Sequence, residues 1–383
     1  MKRLLFLIAD TGGGHRAAAN AVSRYLDGSA PGDFEVRIVD PFATATPRMV
    51  NHTAQLYGPL TRHARWLWGG LYHATNSLTA MSLLERSLLR VVSPGMRRLL
   101  SSFNPDVVVS FHPLLNHIAV RLAQRGSRRV PVVTVITDLV DVHASWACAD
   151  VDAVVVPSAG GFERCRRAGI PANRCHAIGL AVDSPFAAPV LQAEERAALR
   201  SRLGLSPDAF VVLVCGGADG SGGIDRRARA LAGAHMDFEM AVICGRNHAA
   251  RQRLAGLVDH TGRPVIVHGF VDNMADWMRA SDLVATKAGP GTIAEALCCG
   301  LPMLLTSYLP GQERGNVEWL VDVGAGRYVP RVRQLVDAVA ELSAPGSVTL
   351  AEMRTAVQRE ARPDATRRIA SLIADMAAGR IAA

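Results

Sequence analysis

Ten short runs of apolar, largely β-branched residues recur along the chain, each followed by a longer stretch of helical pattern. No other feature of the sequence restricts the fold as much. The runs of the first half are Arg3–Ala9, Glu35–Val39, Asp106–Phe111, Val132–Ile136 and Ala153–Val156. Those of the second half are Phe210–Cys215, Glu239–Cys244, Pro264–His268, Leu283–Thr286 and Met303–Thr306. None alternates apolar with polar residues, so they read as strands covered on both faces, as in a parallel sheet flanked by helices. Strand–helix–strand repetition predicts an α/β chain with doubly wound sheets. A chain of 383 residues with 49% hydrophobic content supplies cores for two such domains.

The repetition is interrupted between about Asp183 and Asp208, a Pro-bounded, polar stretch that reads as a linker around one short helix. Two Rossmann-like halves, 1–185 and 186–383, then face an interdomain cleft, because open α/β sheets bind ligands beyond the carboxyl ends of their strands. The segment Pro47–Phe103 stands outside the repetition. It is helical and basic, with Tyr57, Trp66, Trp68 and Tyr72 beside Arg62, His63, Arg65, Arg97 and Arg98. One reading packs these helices on the sheet with the aromatics in the core. The other makes them an interfacial surface, aromatics at headgroup depth and arginines against anionic lipid.

Lys+Arg 42 against Asp+Glu 34 gives a net charge of +8, which favours anionic partners without choosing among them. No run of about 18 apolar residues exists to span a bilayer. The N-terminal Leu4–Ala9 stretch is too short for a signal peptide and leads into a glycine loop. Seven cysteines, Cys148, Cys165, Cys175, Cys215, Cys244, Cys298 and Cys299, include no CxxC pair. They point to reduced thiols in a cytoplasm, not to disulfides or a zinc ribbon.

Three glycine-rich loops follow strands. The first, Asp10-Thr11-Gly12-Gly13-Gly14-His15-Arg16, precedes a helical stretch at Ala17–Leu26, so Gly13 and Gly14 let a ligand approach the helix N-terminus. The positive helix end disfavours imidazolium, leaving His15 neutral and able to accept a proton. His15 also reads as a structural helix cap. The second loop, Cys215 to Gly223, holds five glycines, more than turn geometry alone suggests, and reads as a phosphate loop with Gly216 and Gly217. It lacks the Gly-Lys-Ser/Thr of a P-loop. The third, Thr286 to Leu297, turns at Gly289-Pro290-Gly291. Its Thr292 and Glu295 fit a capping box and, equally, a helix N-terminus for a diphosphate with a carboxylate for a ribose. Gln312, Glu313 and Asn316 sit at a further loop-to-helix junction and can read sugar hydroxyls. Asp138, beside Thr137 at a strand end, is a second carboxylate able to orient His15 or act as base. Asp150-Val151-Asp152 imitates a metal motif, but a strand follows at once. His112 and His117 lack zinc-ligand spacing.

The order of these parts resembles monogalactosyldiacylglycerol synthases and the related processive diacylglycerol glucosyltransferases, and more distantly the glycosyltransferase that makes lipid II. The resemblance lies in Gly12-Gly13-Gly14-His15, in His268-Gly269-Phe270 followed by Val271-Asp272-Asn273-Met274, in Thr286 to Ala296 before Gly300-Leu301-Pro302, and in Gly311-Gln312-Glu313 with Gly315-Asn316-Val317. It covers nearly the whole chain and is densest from Ala241 to Tyr328. Two departures stand out. Ala218, Asp219 and Ser221 replace family residues of the second glycine loop, and Ala181 stands where the family has proline.

The resemblance implies a GT-B fold, with the last helix packing back on the first domain. It implies inverting transfer of galactose or glucose from a UDP-sugar to the hydroxyl of 1,2-diacylglycerol. His15 then falls on the family's glycine-loop histidine, Glu295 on the ribose-binding glutamate, and Gln312 and Glu313 on the donor-sugar readers. Asn316 follows them, and Phe270 and Val271 lie near the uracil pocket. Helix N-termini after Gly217 and Gly291 stabilise the diphosphate. On the acceptor and membrane side stand Gly13, Gly14, Trp66, Trp68, Tyr72 and His112. The expected partners are a UDP-sugar, diacylglycerol and an anionic membrane surface; no nucleic acid, metal or other cofactor is implied. The expected location is cytoplasmic, peripheral on the inner face of the cell membrane. The rivals are transfer to another lipid, a sugar-nucleotide epimerase on the same fold, and a basic nucleic-acid-binding protein, whose modules are absent.

Overall fold

The structure is a computed structural model that describes residues 1–10, 13–44, 65–76, 78–124 and 128–380, with the backbone alone at 44, 65, 66, 71 and 78–90. Two compact units emerge. One comprises Met1–Ser184, Leu309–Gln312 and Asp364–Ala383; the other comprises Pro185–Tyr308 and Glu313–Pro363.

The first unit runs β1 (Lys2–Leu7), α1 (Gly14–Ser29), β2 (Phe34–Val39), α2 (Pro41–Thr44), α3 (Arg65–Thr75), α4 (Leu78–Phe103), β3 (Val107–Ser110), α5 (Asn116–Ala123), β4 (Val132–Val135), β5 (Ala153–Val156), α6 (Ala159–Arg167) and β6 (Cys175–Ala177). The second continues with α7 (Ala193–Arg202), β7 (Val211–Cys215), α8 (Ile224–Ala232), β8 (Glu239–Ile243), α9 (His248–Arg253), β9 (Ile266–His268), α10 (Met274–Ala280), β10 (Leu283–Lys287), α11 (Pro290–Cys298), β11 (Met303–Ser307), α12 (Arg314–Asp322), β12 (Gly326–Tyr328), α13 (Val332–Ser343) and α14 (Val348–Glu360). The chain then returns to the first unit as α15 (Ala365–Ala377).

Each unit holds a six-stranded sheet, in the orders β2-β1-β3-β4-β5-β6 and β12-β11-β10-β7-β8-β9. Every pairing is parallel. Strand order reverses between β1 and β3 in the first sheet and between β7 and β10 in the second. Such switch points splay the loops apart and leave a crevice beyond the strand ends.

Strand β1 shows why the strand runs carry no polar alternation. Leu5 and Leu7 enter one buried cluster with Val92, Met96 and Phe103 of α4. Leu4 and Phe6 enter another, on the opposite face, with Val22 of α1 and Ile369 and Ile373 of α15. Helix α15 is further tied by Thr366, whose hydroxyl donates to the Val182 carbonyl at 2.6 Å. In the second unit, Val212 and Val214 of β7 pack with Leu231 of α8 and with Leu335 and Val339 of α13.

Strands β6 and β12 were not expected. Both are three-residue edge strands, Cys-His-Ala and Gly-Arg-Tyr, without an apolar run to mark them. The stretch expected as a linker does hold one helix, α7. That helix is anchored in the second unit, because buried Arg200 donates to Asp282 at 2.6 Å beside Arg196 and Arg354 on the same carboxylate.

Of the segment Pro47–Phe103, Tyr57, Arg62 and His63 lie outside the described residues, as does the side chain of Trp66. From Val92 onward one face of α4, with Val92, Met96 and Phe103, enters the core, while Arg97 and Arg98 on it are exposed. Among the described residues, no helix is long and apolar enough to cross a membrane.

Candidate active site

In the first unit the carboxyl ends of β1 and β3 meet at the switch point. Helix α1 starts there behind Gly13, whose left-handed backbone (φ 84°) takes the cap position without side-chain help. His15 is therefore not a cap. Its Nδ1 lies 2.9 Å from the Thr137 hydroxyl. Its ring meets the His112 ring edge to face, centroids 4.8 Å apart, with Trp146 behind at 6.2 Å. Burial pushes the His15 imidazole down to about 4, offset in part by the Phe111 carbonyl. Burial, then the neighbouring His15, hold His112 well below its ordinary value. His112 is 7% exposed, and its Nδ1 has no hydrogen-bond partner among the described residues. Removing charge from water in so dry a place favours the neutral imidazole.

Asp138 is buried, and its Oδ2 accepts from the Trp146 indole N–H at 2.7 Å. Its Oδ1 accepts at 3.2 Å from the Gln312 amide, which belongs to this unit. The expected carboxylate thus reaches His15 through an indole, while the neutral Thr137 holds Nδ1. The Oε1 of the same Gln312 amide is buried without a partner among the described residues. Asp152 is structural: it is buried, ion-paired with Arg129 and bonded to the Val132 amide at 2.7 Å.

Tyr72 does not belong to an exposed aromatic face. It is 8% exposed, its hydroxyl donates to the Asp141 carbonyl at 2.9 Å, and its ring packs on His143. Its neighbours on α3 lie nearer the surface. Leu67 is 41% exposed and Trp68 half-buried.

In the second unit, the loop after β7 folds back on itself. A Cβ on Gly216 would lie 2.2 Å from the Ser221 carbonyl oxygen, and one on Gly220 only 1.9 Å from that of Cys244. Backbone approach thus explains glycines that had seemed excessive for a turn. Helix α8 starts at Ile224, so no helix N-terminus follows directly on Gly217.

Helix α11 also starts earlier than expected, with Gly289 as cap and Pro290 as its first residue. Thr292 is the third helical residue, and no side chain caps the helix, so the capping-box reading falls. Gly289 donates to the Lys287 carbonyl, Pro290 has no N–H, and Ile293 donates back to Gly289. The donors left over at the helix head are the N–H groups of Gly291 and Thr292. A Cβ on Gly291 would meet nothing within 4 Å. Glu295 lies one turn further on, half-buried. Its charge and that of Lys287 both reach the Cys215 thiol at the end of β7, which burial pushes up to about 11.

Beyond β9, Phe270 is 57% exposed, with the Arg246 guanidinium 5.8 Å from its ring centroid; Val271 is half-buried. Glu313 is buried and bonded to Lys287 Nζ at 2.5 Å. Asn316, 1% exposed, donates to the Ala288 carbonyl at 3.0 Å, and its own Oδ1 has no partner among the described residues. Sequence reasoning missed Trp146 and Lys287. Trp146 sits in a polar loop without periodicity, whereas Lys287 stood in plain view within the third glycine loop.

The family model of monogalactosyldiacylglycerol (MGDG) synthase matches residues 15–182, and that of the glycosyltransferase family 28 C-terminal domain matches residues 211–369. Monogalactosyldiacylglycerol synthase 1, chloroplastic, of Arabidopsis thaliana is 34% identical over 377 residues, covering 96% of this chain and 70% of the relative. Among solved structures, MurG of Acinetobacter baumannii superposes with a TM-score of 0.61 at 17% identity, over 98% of this chain and all of that one. UDP-GlcNAc 2-epimerase from Neisseria meningitidis, bound to UDP-GlcNAc, gives 0.62 at 13% identity, again over 98% of this chain and 100% of that one. These likenesses show the fold, GT-B, with two Rossmann-like domains. At the level of sequence, the chain belongs to the monogalactosyldiacylglycerol synthase family of glycosyltransferases.

Proposed function

We propose that the protein transfers galactose or glucose from a UDP-sugar to the free hydroxyl of 1,2-diacylglycerol, with inversion at the anomeric carbon. The observation that carries this reading is the environment of His15: a neutral imidazole at a sheet switch point, oriented through Nδ1, in a chain of this family. In the tautomer that donates from Nδ1 to Thr137, Nε2 is the base. It takes the acceptor hydroxyl proton as the acceptor oxygen bonds to the anomeric carbon. The bond from that carbon to the diphosphate breaks, and its electron pair leaves with UDP.

The second unit supplies the donor site in this reading. Gly291 and Thr292 offer N–H groups to the diphosphate, Glu295 accepts from the ribose hydroxyls, and Phe270 stacks on uracil. Glu313 and Asn316 of this unit face the sugar. Trp66, Trp68 and the arginines around them hold the first unit on an anionic membrane surface, where the acceptor hydroxyl lies.

The test is an incubation of purified protein with UDP-galactose or UDP-glucose and liposomes containing diacylglycerol, followed by mass spectrometry. A lipid heavier by one hexose is expected. No new lipid, or an epimerised sugar nucleotide instead, contradicts the reading.

A further inference from the structure

The chain contains forty arginines and only two lysines, Lys2 and Lys287. Lys2 is a surface residue at the start of β1, 3.9 Å from Asp106. Lys287 closes β10 at the switch point of the second sheet, where the register against β11 shifts between Thr286 and Lys287. Such an irregularity re-aims a side chain at a strand end.

The side chain runs between the two glycine loops. A Cβ on Gly217 would lie 3.6 Å from its Cε, and one on Gly289 only 2.9 Å from its Nζ. Gly289 therefore keeps open the space that the ammonium occupies. Nζ is bonded at 2.5 Å to buried Glu313, yet the lysine side chain remains 27% exposed. Beside this pair lie the leftover N–H groups of α11 and the unpaired, buried Oδ1 of Asn316, which is bonded to Ala288 through its amide nitrogen. A guanidinium would be planar and broad here. A lysine is a compact point charge on a flexible stem and can exchange one anion for another.

We propose that Lys287 is the cation that receives the leaving diphosphate, and that Glu313 holds it until the donor arrives. The proposal rests on the donor-site reading above. Donor binding draws Nζ from Glu313 Oε1 to a phosphate oxygen. As the bond to the anomeric carbon breaks, its electron pair stays on that diphosphate, and the ammonium meets the added negative charge without giving up a proton. The released Glu313 carboxylate accepts a hydrogen bond from a sugar hydroxyl, so occupation of the sugar site and readiness of the cation become one event.

Titration calorimetry with UDP and with uridine tests this on the parent, Lys287→Met, Glu313→Gln and the double variant. Lys287→Met is expected to weaken UDP at least about tenfold, as loss of a charge-assisted hydrogen bond does, and to leave uridine unchanged, which also reports an intact fold. Glu313→Gln frees the ammonium and is expected to tighten UDP by roughly three- to tenfold, a gain absent from the double variant. If Lys287→Met binds UDP as the parent does, or if the gain persists in the double variant, the proposal is wrong while the donor site stands. A parent that binds neither UDP nor uridine overturns the donor site and this proposal together.

Discussion

The Nδ1 of His15 and the hydroxyl of Thr137 lie 2.9 Å apart, so a neutral partner, not a carboxylate, orients the imidazole at the head of α1. A hydroxyl can accept from Nδ1 or donate to it, so it orients the ring in either tautomer without pulling it toward imidazolium. Thr137→Val should lower kcat by up to about 100-fold, the scale of a misplaced catalytic group, and leave the KM for donor unchanged. Thr137→Ser should stay within a few-fold of the parent. Equal loss in both variants would show that the hydroxyl is not what matters.

Burial holds His15 near 4 in the folded protein, against about 6.5 in an unfolded chain. As a base it must be neutral, so kcat/KM should fall on the acid side only as pH approaches about 4. Stability carries the same sign. Below about 6.5 the unfolded chain binds the proton that folded His15 refuses, so stability is full above that pH and is lost as pH falls toward 4. From His15 alone the loss reaches roughly 3 kcal/mol. His112 and His143, also pushed down by burial, add to it. Urea unfolding at stepped pH values reads this, and stability that is flat from pH 7 to 4.5 would contradict it.

The interior strands of both sheets were legible because each is an apolar run that needs cover on two faces. The edge strands β6 and β12 were not, since three polar or small residues carry no pattern. The head of α11 was misplaced by attention to Thr292, although Pro290 marks a first helical position. The glycine-loop histidine and the third glycine loop could be found from residue order. That Asp138 bonds the Trp146 indole while Thr137 takes His15 could not, because β4 and the loop after it meet α1 only through the fold. Tyr72 was misread for the same reason: an aromatic on a basic helix looks alike whether it faces lipid or a buried histidine.

Glu295→Gln should weaken UDP binding, because a neutral amide accepts less strongly from ribose hydroxyls; charge-assisted bonds contribute about 1.5–3 kcal/mol. With the capping-box reading excluded by the start of α11, helix stability should not change. UDP affinity equal to that of the parent in calorimetry would remove Glu295 from the site.

Tyr72 and the tryptophans of α3 should separate cleanly. Tyr72→Phe loses the bond to the Asp141 carbonyl and should cost about 1 kcal/mol of unfolding free energy, with liposome binding unaltered. Trp66→Ala combined with Trp68→Ala should reduce sedimentation with anionic liposomes and leave UDP affinity alone. A double variant that sediments as well as the parent would remove this helix from the membrane contact.

The stereochemistry of the product reports most directly on whether transfer is a single displacement with His15 as base. With one base at His15 and one displacement, a donor in which the hexose is α-linked to UDP must give a β-linked glycolipid. Proton NMR of the purified lipid reads the anomeric coupling. A β-glycosyl diacylglycerol, made by the parent and lost with His15→Ala, is the predicted result. An α-linked product would contradict the single displacement, and an undiminished rate in His15→Ala would contradict the base.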